Sequence, residues 1–351
     1  MSITIYDVAK KAQVGIGTVS RAINNSPHIS PKTRDRVLKV IKELKYQPHA
    51  MAQGLARRKT KIIACIVPFF TGYFFVELLR SIQKDISSQG YDLILYSVDE
   101  RNKKELFLKR TLREKKVDGV LLFSLPMNDN DAKIFINVNF PIVLIDSYHP
   151  QLDSITIQNN QGAYLATRHL IELGHQKISL ITGHIQSIPA RTRLEGYRNA
   201  LIENQIKYDE DYVLYLDDTV TDKDLMLNDG FNEKSGYQLM LQLLRAEKKR
   251  PTAVFVSSDI QAIGAMEAIR EKGLSIPEDI AVVGFDDIEL ARLLGLTTIH
   301  QPIVEMGHSA VKRLIDRMRC ESTERYECNL ETHLVIRRTC GSIKGKAHDF
   351  F

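Results

Sequence analysis

The feature that most constrains the fold of this 351-residue chain is a change in hydrophobic period near residue 61. Beyond it, short apolar runs alternate with stretches whose apolar residues recur at helical spacing. The runs predicted to be buried strands are Ile62–Val67, Leu93–Tyr96, Gly119–Phe123, Ile142–Ile145, Ile178–Ile181, Ala253–Val256 and Ala281–Val283. Helices are expected between them, for example over 74–89, 101–115, 161–173, 235–248 and 259–272. This alternation predicts a doubly wound parallel α/β sheet, and its length suggests two such lobes.

The first 46 residues have a pattern typical of three short helices. Thr4 is placed to cap a first helix, and Gly15 interrupts the apolar spacing before a second one. Ser30 followed by Pro31 is a favoured start for a third helix. Two short helices joined by a tight turn and followed by a third predict an all-α helix-turn-helix domain over residues 1–46.

The charge of the chain is concentrated in the same region. Residues 1–60 contain 12 Lys and Arg against 3 Asp and Glu, whereas the remaining residues contain 36 against 40. The net charge of +5 for the whole chain conceals this asymmetry. A basic head on a mildly acidic body is typical of a duplex-binding module attached to a ligand-sensing core.

The second helix is predicted to face DNA. Arg21 can contact guanine edges or phosphates, and Thr18 and Ser20 can reach phosphates or bases. Ile16 can offer only apolar contact, for example to a thymine methyl group, and Gly17 lies beside it. The alternative is a three-helix domain whose basic face is merely solvated.

Residues 47–60 are predicted to be a hinge helix and linker. Pro48 suits a first helical turn, but so short a helix is marginal in water and Gly54 weakens it further. We therefore expect this segment to fold on DNA. Leu55, followed by basic residues, is suited to act as a wedge between minor-groove base steps. The alternative is a simple tether.

These segments resemble the lactose-repressor/galactose-repressor family of bacterial transcriptional regulators. The run Ile5-Tyr6-Asp7-Val8-Ala9 with Thr18-Val19-Ser20-Arg21 is similar to its DNA-binding head, and Pro48…Ala52…Leu55-Ala56 to its hinge helix. The resemblance extends to about residue 340 and implies an effector-binding, dimerising core over 61–340 like the sugar-binding periplasmic proteins, then a tail over 341–351. The DNA-binding residues that we predict are Thr4, Tyr6, Ile16, Gly17, Thr18, Ser20, Arg21, Asn24, Ala52, Leu55 and Ala56.

A small-molecule site is expected where loops follow the strands, because ligands of doubly wound sheets bind beyond the carboxyl ends of strands. Aromatic rings stack on sugars or purines, and a carboxylate facing a guanidinium can bind a polyol or heterocycle. The resemblance assigns effector contacts to Arg193, Asp286 and Ser258, although Asp286 could instead cap the following helix. The predicted set is Phe69, Tyr73, Arg193, Ser258, Asp286 and Gln301. The family usually has Asp at the positions of Phe69 and Gln158, and the acidic loop 217–230 is longer than usual.

Other functions find little support in the sequence. G-x-G-x-x-G, P-loop, G-x-S-x-G and H-E-x-x-H motifs are absent, and neither a metal nor a cofactor is expected. The four cysteines have neither C-x-x-C nor disulfide-framework spacing, and Cys65 is expected to be a reduced core thiol. No apolar run approaches the roughly 20 residues of a membrane span, and the N-terminus does not resemble a secretory signal. These features predict a cytoplasmic protein.

The predicted function is a DNA-binding repressor. It would bind a pseudo-palindromic operator as a homodimer, under control of a small-molecule effector such as a sugar. A dimer is favoured over a tetramer because the tail lacks a leucine heptad. The alternatives are a regulator of the same family controlled by a protein partner, a cytoplasmic sugar-binding protein, or an enzyme.

Overall fold

The computed structural model describes residues 3–46, 60–68, 72–98, 103–114, 116–245 and 250–341. Most of the predicted hinge and linker, including Ala52, Leu55 and Ala56, lies outside these residues. So do Phe69 and the tail beyond residue 341.

Over residues 3–46 the head contains three helices, α1 (Ile5–Ala12), α2 (Ile16–Ile23) and α3 (Pro31–Leu44). Thr4 at the start of α1 donates from N and from Oγ1 to Asp7 Oδ2, over 2.8 and 2.7 Å. At the start of α3, Ser30 Oγ accepts from the backbone N of Thr33 at 3.2 Å. The apolar stripes of the three helices meet in one small core that includes Val8, Val19 and Val37. Helices α1 and α3 therefore begin directly after Thr4 and Ser30, the two residues predicted to cap them.

The body alternates strands and helices in chain order. Its first part comprises β1 (Ile62–Val67), α4 (Tyr73–Ser88), β2 (Asp92–Ser97), α5 (Lys103–Glu114), β3 (Gly119–Phe123), α6 (Asp129–Asn137), β4 (Ile142–Ile145) and β5 (Asp153–Ile157). Its middle part comprises α7 (Asn159–Glu172), β6 (Ile178–His184), α8 (Ile188–Glu203), β7 (Val213–Leu216), α9 (Lys223–Met226) and α10 (Glu233–Arg245). Its last part comprises β8 (Ala253–Val256), α11 (Asp259–Glu271), β9 (Ala281–Asp286), α12 (Glu289–Leu294), β10 (Thr297–His300), α13 (Ile303–Met318), β11 (Glu327–Leu330) and β12 (His333–Val335).

The strands of the described chain form two sheets, one in each lobe. The first sheet has the order β11-β5-β4-β3-β1-β2, and the second β12-β10-β9-β8-β6-β7. Neighbouring strands pair in parallel, except that β12 pairs antiparallel with β10. The chain crosses between the lobes after β5, after β10 and after β11. The lobes are therefore joined by three connections within the described residues, with a cleft between them.

Burial explains why these strands are apolar. β3, β4, β6, β8 and β9 are buried along their whole length, since helices cover both faces of the sheets. β2 lies at a sheet edge and is only partly buried. Cys65 is buried in β1 as a free thiol, and burial raises its pKa. The doubly wound, two-lobed fold predicted from the alternation is confirmed.

The strands that the apolar runs did not indicate are β5, β7, β10, β11 and β12. β10 is largely buried, but Thr297, Thr298 and His300 make it no apolar run. β5 alternates polar and apolar residues in Asp153-Ser154-Ile155-Thr156-Ile157, so it contains no apolar run. β7, β11 and β12 lie at or near sheet edges and have partly exposed side chains. Continuous apolar segments indicate buried, apolar central strands and give no sign of strands that carry polar residues.

Candidate functional site

A cleft lies between the lobes, where the carboxyl ends of strands from both sheets meet. From the first lobe it is lined by Pro68 after β1, Ser124 after β3 and Asp146 after β4. From the second lobe Ser258 follows β8 and Asp286 ends β9. This is the position that doubly wound sheets favour for a ligand.

A buried ion pair forms the centre of the second lobe's wall. Arg193 of α8 is 4% exposed, and its Nη1 lies 3.8 Å from Asp286 Oδ1. Arg193 Nε donates to Asn159 Oδ1 at 2.8 Å, and Nη1 donates to the carbonyl oxygen of Ser257. The guanidinium lies 3.7 Å above the ring centroid of Phe285. The ring contact and these two hydrogen bonds hold Arg193 in one orientation.

The carboxyl groups of this cluster outnumber its one guanidinium. Burial raises the pKa of Asp286 to about 7, against the opposing effects of Arg193 and of the hydrogen bond from Gln301 Nε2. Burial also raises the pKa of Asp146, although Arg193 and Ser124 favour its charged form. A third carboxyl, Asp259, lies behind Asp286, and burial and the charge of Asp286 raise its pKa. The cleft can therefore present both proton donors and acceptors to a ligand.

Asp286 is held in an unusual backbone conformation. Its φ is 125° and that of Asp287 is 61°, both in the region that favours glycine. Asp259 supports this turn, because its carboxylate accepts from Ile288 N at 3.0 Å and from Thr298 Oγ1 at 2.6 Å. The N-cap of α12 is Ile288, so Asp286 does not cap that helix. Its side chain bonds to Gln301 and faces the cleft.

Five of the predicted effector residues line this one cleft. Tyr73 is half exposed at its mouth, while Arg193, Ser258, Asp286 and Gln301 are buried. Phe69 lies outside the described residues. Ser258 also begins α11, where its Oγ accepts from Gln261 N at 3.3 Å. Phe75 packs in the first lobe's core and Phe74 packs against it, and both rings also line the cleft.

Sequence reasoning missed two polar residues of the first lobe's wall. Asp146 and Ser124 both line the cleft, and Ser124 Oγ donates to Asp146 Oδ2 at 2.8 Å. Each follows directly on an apolar run that was predicted as a strand. The rule that ligands lie beyond carboxyl ends could therefore have identified them.

The acidic loop over 217–230 contributes to the cleft, which its sequence does not indicate. Asn228 and Asp229 at its end, and Phe231 directly after it, line the cleft. Asn228 and Asp229 have φ values of 59° and 50°. Gly230 is fixed by Gln261 Nε2, which donates to its carbonyl oxygen at 2.9 Å. Close packing of this segment on Gly183 of β6 brings Phe231 into the cleft wall.

The head presents the predicted DNA-binding side chains on its surface. Tyr6, Ile16, Gly17 and Arg21 are exposed, as is Thr4. Three more of them, Thr18, Ser20 and Asn24, are half buried. Asn24 Nδ2 donates to Ser20 Oγ at 3.3 Å. The start and the outer face of α2 are thus free to approach another molecule.

No group of three His, Cys, Asp or Glu among the described residues is arranged to hold a metal ion. No helix of the described chain is long and apolar enough to cross a membrane.

The chain is similar to known regulators along almost its entire length. The profile of bacterial regulatory proteins of the lacI family matches residues 4–49, and that of the periplasmic binding protein-like domain matches residues 167–340. The ribose operon repressor of Haemophilus influenzae is 35% identical over 97% of this chain and 99% of its own length.

Solved structures agree with these relatives. The lac repressor dimer bound to operator and the anti-inducer ONPF has a TM-score of 0.80 and 30% identity, over 97% of this chain and 99% of that one. The complex of the transcriptional regulator CelR with cellobiose has a TM-score of 0.70 and 33% identity, over 96% and 99%. These relatives are transcriptional regulators, not enzymes. The chain therefore belongs to the lacI family of bacterial regulatory proteins.

Proposed function

We propose that the protein is a sequence-specific transcriptional repressor controlled by a small-molecule effector, a sugar or a related metabolite. It binds a pseudo-palindromic operator as a homodimer, in the cytoplasm where the DNA lies. The observation that carries the proposal is the combination, in one chain, of an exposed helix-turn-helix face and a polar cleft between two lobes. The helix-turn-helix face alone would indicate only DNA binding, and the cleft alone would indicate only ligand binding.

The head supports the DNA-binding half. Arg21 lies exposed on α2, beside exposed Gly17, and Thr18 and Ser20 are half exposed on the same helix. Short polar side chains and a guanidinium on a recognition helix suit the major groove. The operator-bound lac repressor dimer is a structural neighbour that covers 97% of this chain with a TM-score of 0.80. We assign base and phosphate contacts to this face.

The cleft supports the effector half. Asp146 comes from one lobe and Arg193 and Asp286 from the other, so a ligand bonded to all three would link the lobes. Such a ligand has different affinities for two lobe arrangements, which is what an allosteric effector requires. Tyr73 and Phe231 add ring surface for a sugar. The names of the relatives include a ribose operon repressor and a cellobiose complex.

The test is an operator shift with and without metabolites. Full-length protein is incubated with a DNA fragment that carries a pseudo-palindrome near its gene, and sugars and related metabolites are titrated in. Arg193→Ala should abolish the response to the active metabolite, because it removes the guanidinium and leaves Asp286 without its cation. Operator binding should remain.

Arg198→Ala is the matched control, since Arg198 lies exposed on the same helix α8. It should leave the response unchanged. A wild-type response that survives in Arg193→Ala would remove Arg193 from the effector site. A response only to an added protein, with no metabolite active, would favour a regulator controlled by a protein partner.

A further inference from the structure

A second cavity, of about 480 Å³, opens beside the cleft on the side where β5 crosses into the second lobe. Four consecutive amide residues of the second lobe line it, and one more comes from β11 of the first lobe. We call this cavity the amide groove. Its amide residues are Gln158, Asn159, Asn160, Gln161 and Asn329. The groove is therefore built by both lobes, as the cleft is.

The amide groove and the cleft share a wall. Asp146 lines both cavities. Asn159 bonds to Asp146 on one side, and its Oδ1 accepts from Arg193 Nε at 2.8 Å on the other. The partition between the two spaces thus consists of polar side chains that already belong to the proposed effector site.

The sizes of the two spaces differ. The cleft holds a volume of about 90 Å³ in this arrangement of the lobes, and the amide groove about 480 Å³. Ligand pockets usually measure about 300–1,000 Å³. The cleft by itself falls below that range, whereas the groove next to it lies within the range.

The chemistry of the amide groove suits a neutral, hydroxyl-rich ligand. The side chains of Gln158, Asn160 and Gln161 make no hydrogen bond with other residues in the described parts of the chain. Each offers both a donor and an acceptor. Among the described residues no Lys or Arg lines the groove, and its one charged side chain is the acidic Asp146. An anionic ligand would meet no counter-charge there, while vicinal hydroxyls could pair with the amides.

We propose that the amide groove is a second subsite of the effector cleft, and that the effector is an uncharged oligosaccharide of at least two sugar units. One unit lies in the cleft against Arg193 and Asp286, and the next passes Asp146 into the groove. This inference rests on the proposed function, in that it takes the cleft as the effector site. Because both lobes form the groove, the second unit adds contacts that depend on how the lobes are arranged.

The first experiment is calorimetric titration of the full chain with length series of neutral sugars. One series is glucose, cellobiose and cellotriose, and a second is glucose, maltose and maltotriose. Ribose and galactose are added as further monosaccharides. In one series the disaccharide or trisaccharide should bind at least about tenfold more tightly than its monosaccharide, which corresponds to about 1.4 kcal/mol. The 6-phosphate of the same disaccharide should bind more weakly.

Variants then separate the two subsites. Gln161→Ala and Asn160→Ala should each weaken the oligosaccharide by about three- to tenfold and leave the monosaccharide unchanged. Gln161→Trp, at an exposed position that tolerates a large side chain, should block the groove and remove the preference for the longer sugar. Gln242→Ala is the matched control, an exposed helical glutamine on α10 away from both cavities.

The outcomes are distinguishable from failure of the proposed function. Equal affinity for monosaccharide and oligosaccharide, or groove variants that behave like the wild type, would overturn the second subsite. If Arg193→Ala still loses the response in that case, the effector cleft stands. If no saccharide of any length binds, both the subsite and the sugar effector are wrong, and operator binding of the wild type shows whether the DNA-binding half stands.

Discussion

Arg193 is the residue whose surroundings most determine the chemistry of the cleft. Its guanidinium lies buried between the ring of Phe285 and the carboxyl groups of Asp286 and Asp146. Burial lowers the pKa of Arg193, while those carboxyl groups raise it. Removal of one partner from a buried charge cluster costs more than the pair contributes, because the other charge is left uncompensated. The cleft side chains therefore depend on one another electrostatically.

We predict that Asp286→Asn flattens the pH dependence of stability. Burial raises the pKa of Asp286 from 3.8 to about 7, so the folded state keeps a proton that the unfolded chain releases in this window. Unfolding is then favoured as the pH rises, and the stabilisation present below pH 4 is lost as the pH passes 7. Asn cannot ionise, and its Tm should fall less than that of the wild type between pH 5 and 8. Parallel Tm profiles would show that Asp286 does not hold this proton.

At the scale of single elements, α2 has only eight residues, and its packing against the rest of the head holds it in position. Its buried residues, Val19 and Ala22, pack into the head core, which leaves the opposite face exposed. Gly15 is its N-cap, and its backbone is extended rather than helical. The helix therefore offers a small, rigid surface that includes Arg21.

Arg21→Ala should weaken operator binding by about 10- to 100-fold, because one guanidinium contact to a base or phosphate is lost. The salt dependence decides between the two. A phosphate contact would lower the slope of log K against log salt by about 0.9, whereas a base contact would leave the slope and relax sequence preference. Lys272→Ala, an equal change of charge on the second lobe, is the control. Unchanged affinity and slope in Arg21→Ala would place the DNA-binding face elsewhere.

β6 and the end of the acidic loop pack closely against each other at Gly183. A Cβ at Gly183 would lie 2.6 Å from the carbonyl oxygen of Asp229 and 2.7 Å from the ring of Phe231. Both distances are shorter than real contacts, and one partner is backbone. The loop can therefore reach the cleft only while residue 183 has no side chain.

Gly183→Ala should displace Phe231 and destabilise the core by about 1–3 kcal/mol, the usual cost of overpacking. Chemical denaturation measures the stability, and metabolite titration measures the effector affinity, which should fall as well. If the Gly183→Ala variant has the stability and the effector affinity of the wild type, the loop accommodates the added methyl group and the close packing at residue 183 is not needed.

At the scale of the whole molecule, the three crossings between the lobes place the cleft beside the connections. Strands of both sheets end at the cleft, so their terminal residues face each other across it. A ligand in the cleft would contact both lobes and change how they are arranged, and in sequence the head precedes the first lobe, with residues 47–60 between them. Effector and operator would then compete through the arrangement of the core.

Leu55→Ala tests that coupling from the DNA side. Leu55 lies outside the described residues, and the prediction rests on its place in the sequence as an apolar residue beside Arg57 and Arg58. If it inserts between base steps, the variant should bind operator more weakly and bend it less, with effector affinity intact. Gel-shift titration and a circular-permutation bending assay measure the two effects. Unaltered bending and affinity would reduce the segment to a tether.

Much of the architecture could be predicted from local pattern. The caps at Thr4 and Ser30 gave the starts of α1 and α3, and the apolar runs gave the central strands. β5 could not be predicted in this way, because it contains no apolar run. It is a strand because it pairs with β4 and β11. Ser124 and Asp146 could have been predicted, since each follows a predicted strand.

The sequence by itself determined the order of head and body and the parallel sheets. Those features follow from period, capping and charge, which are local properties of the chain. Only the tertiary structure decided that Asp146, Asp259 and Asp286 gather around one buried Arg193, and that the amide groove shares a wall with the cleft. Residues far apart in sequence set these features, because burial and the electric field at a site depend on everything packed around it.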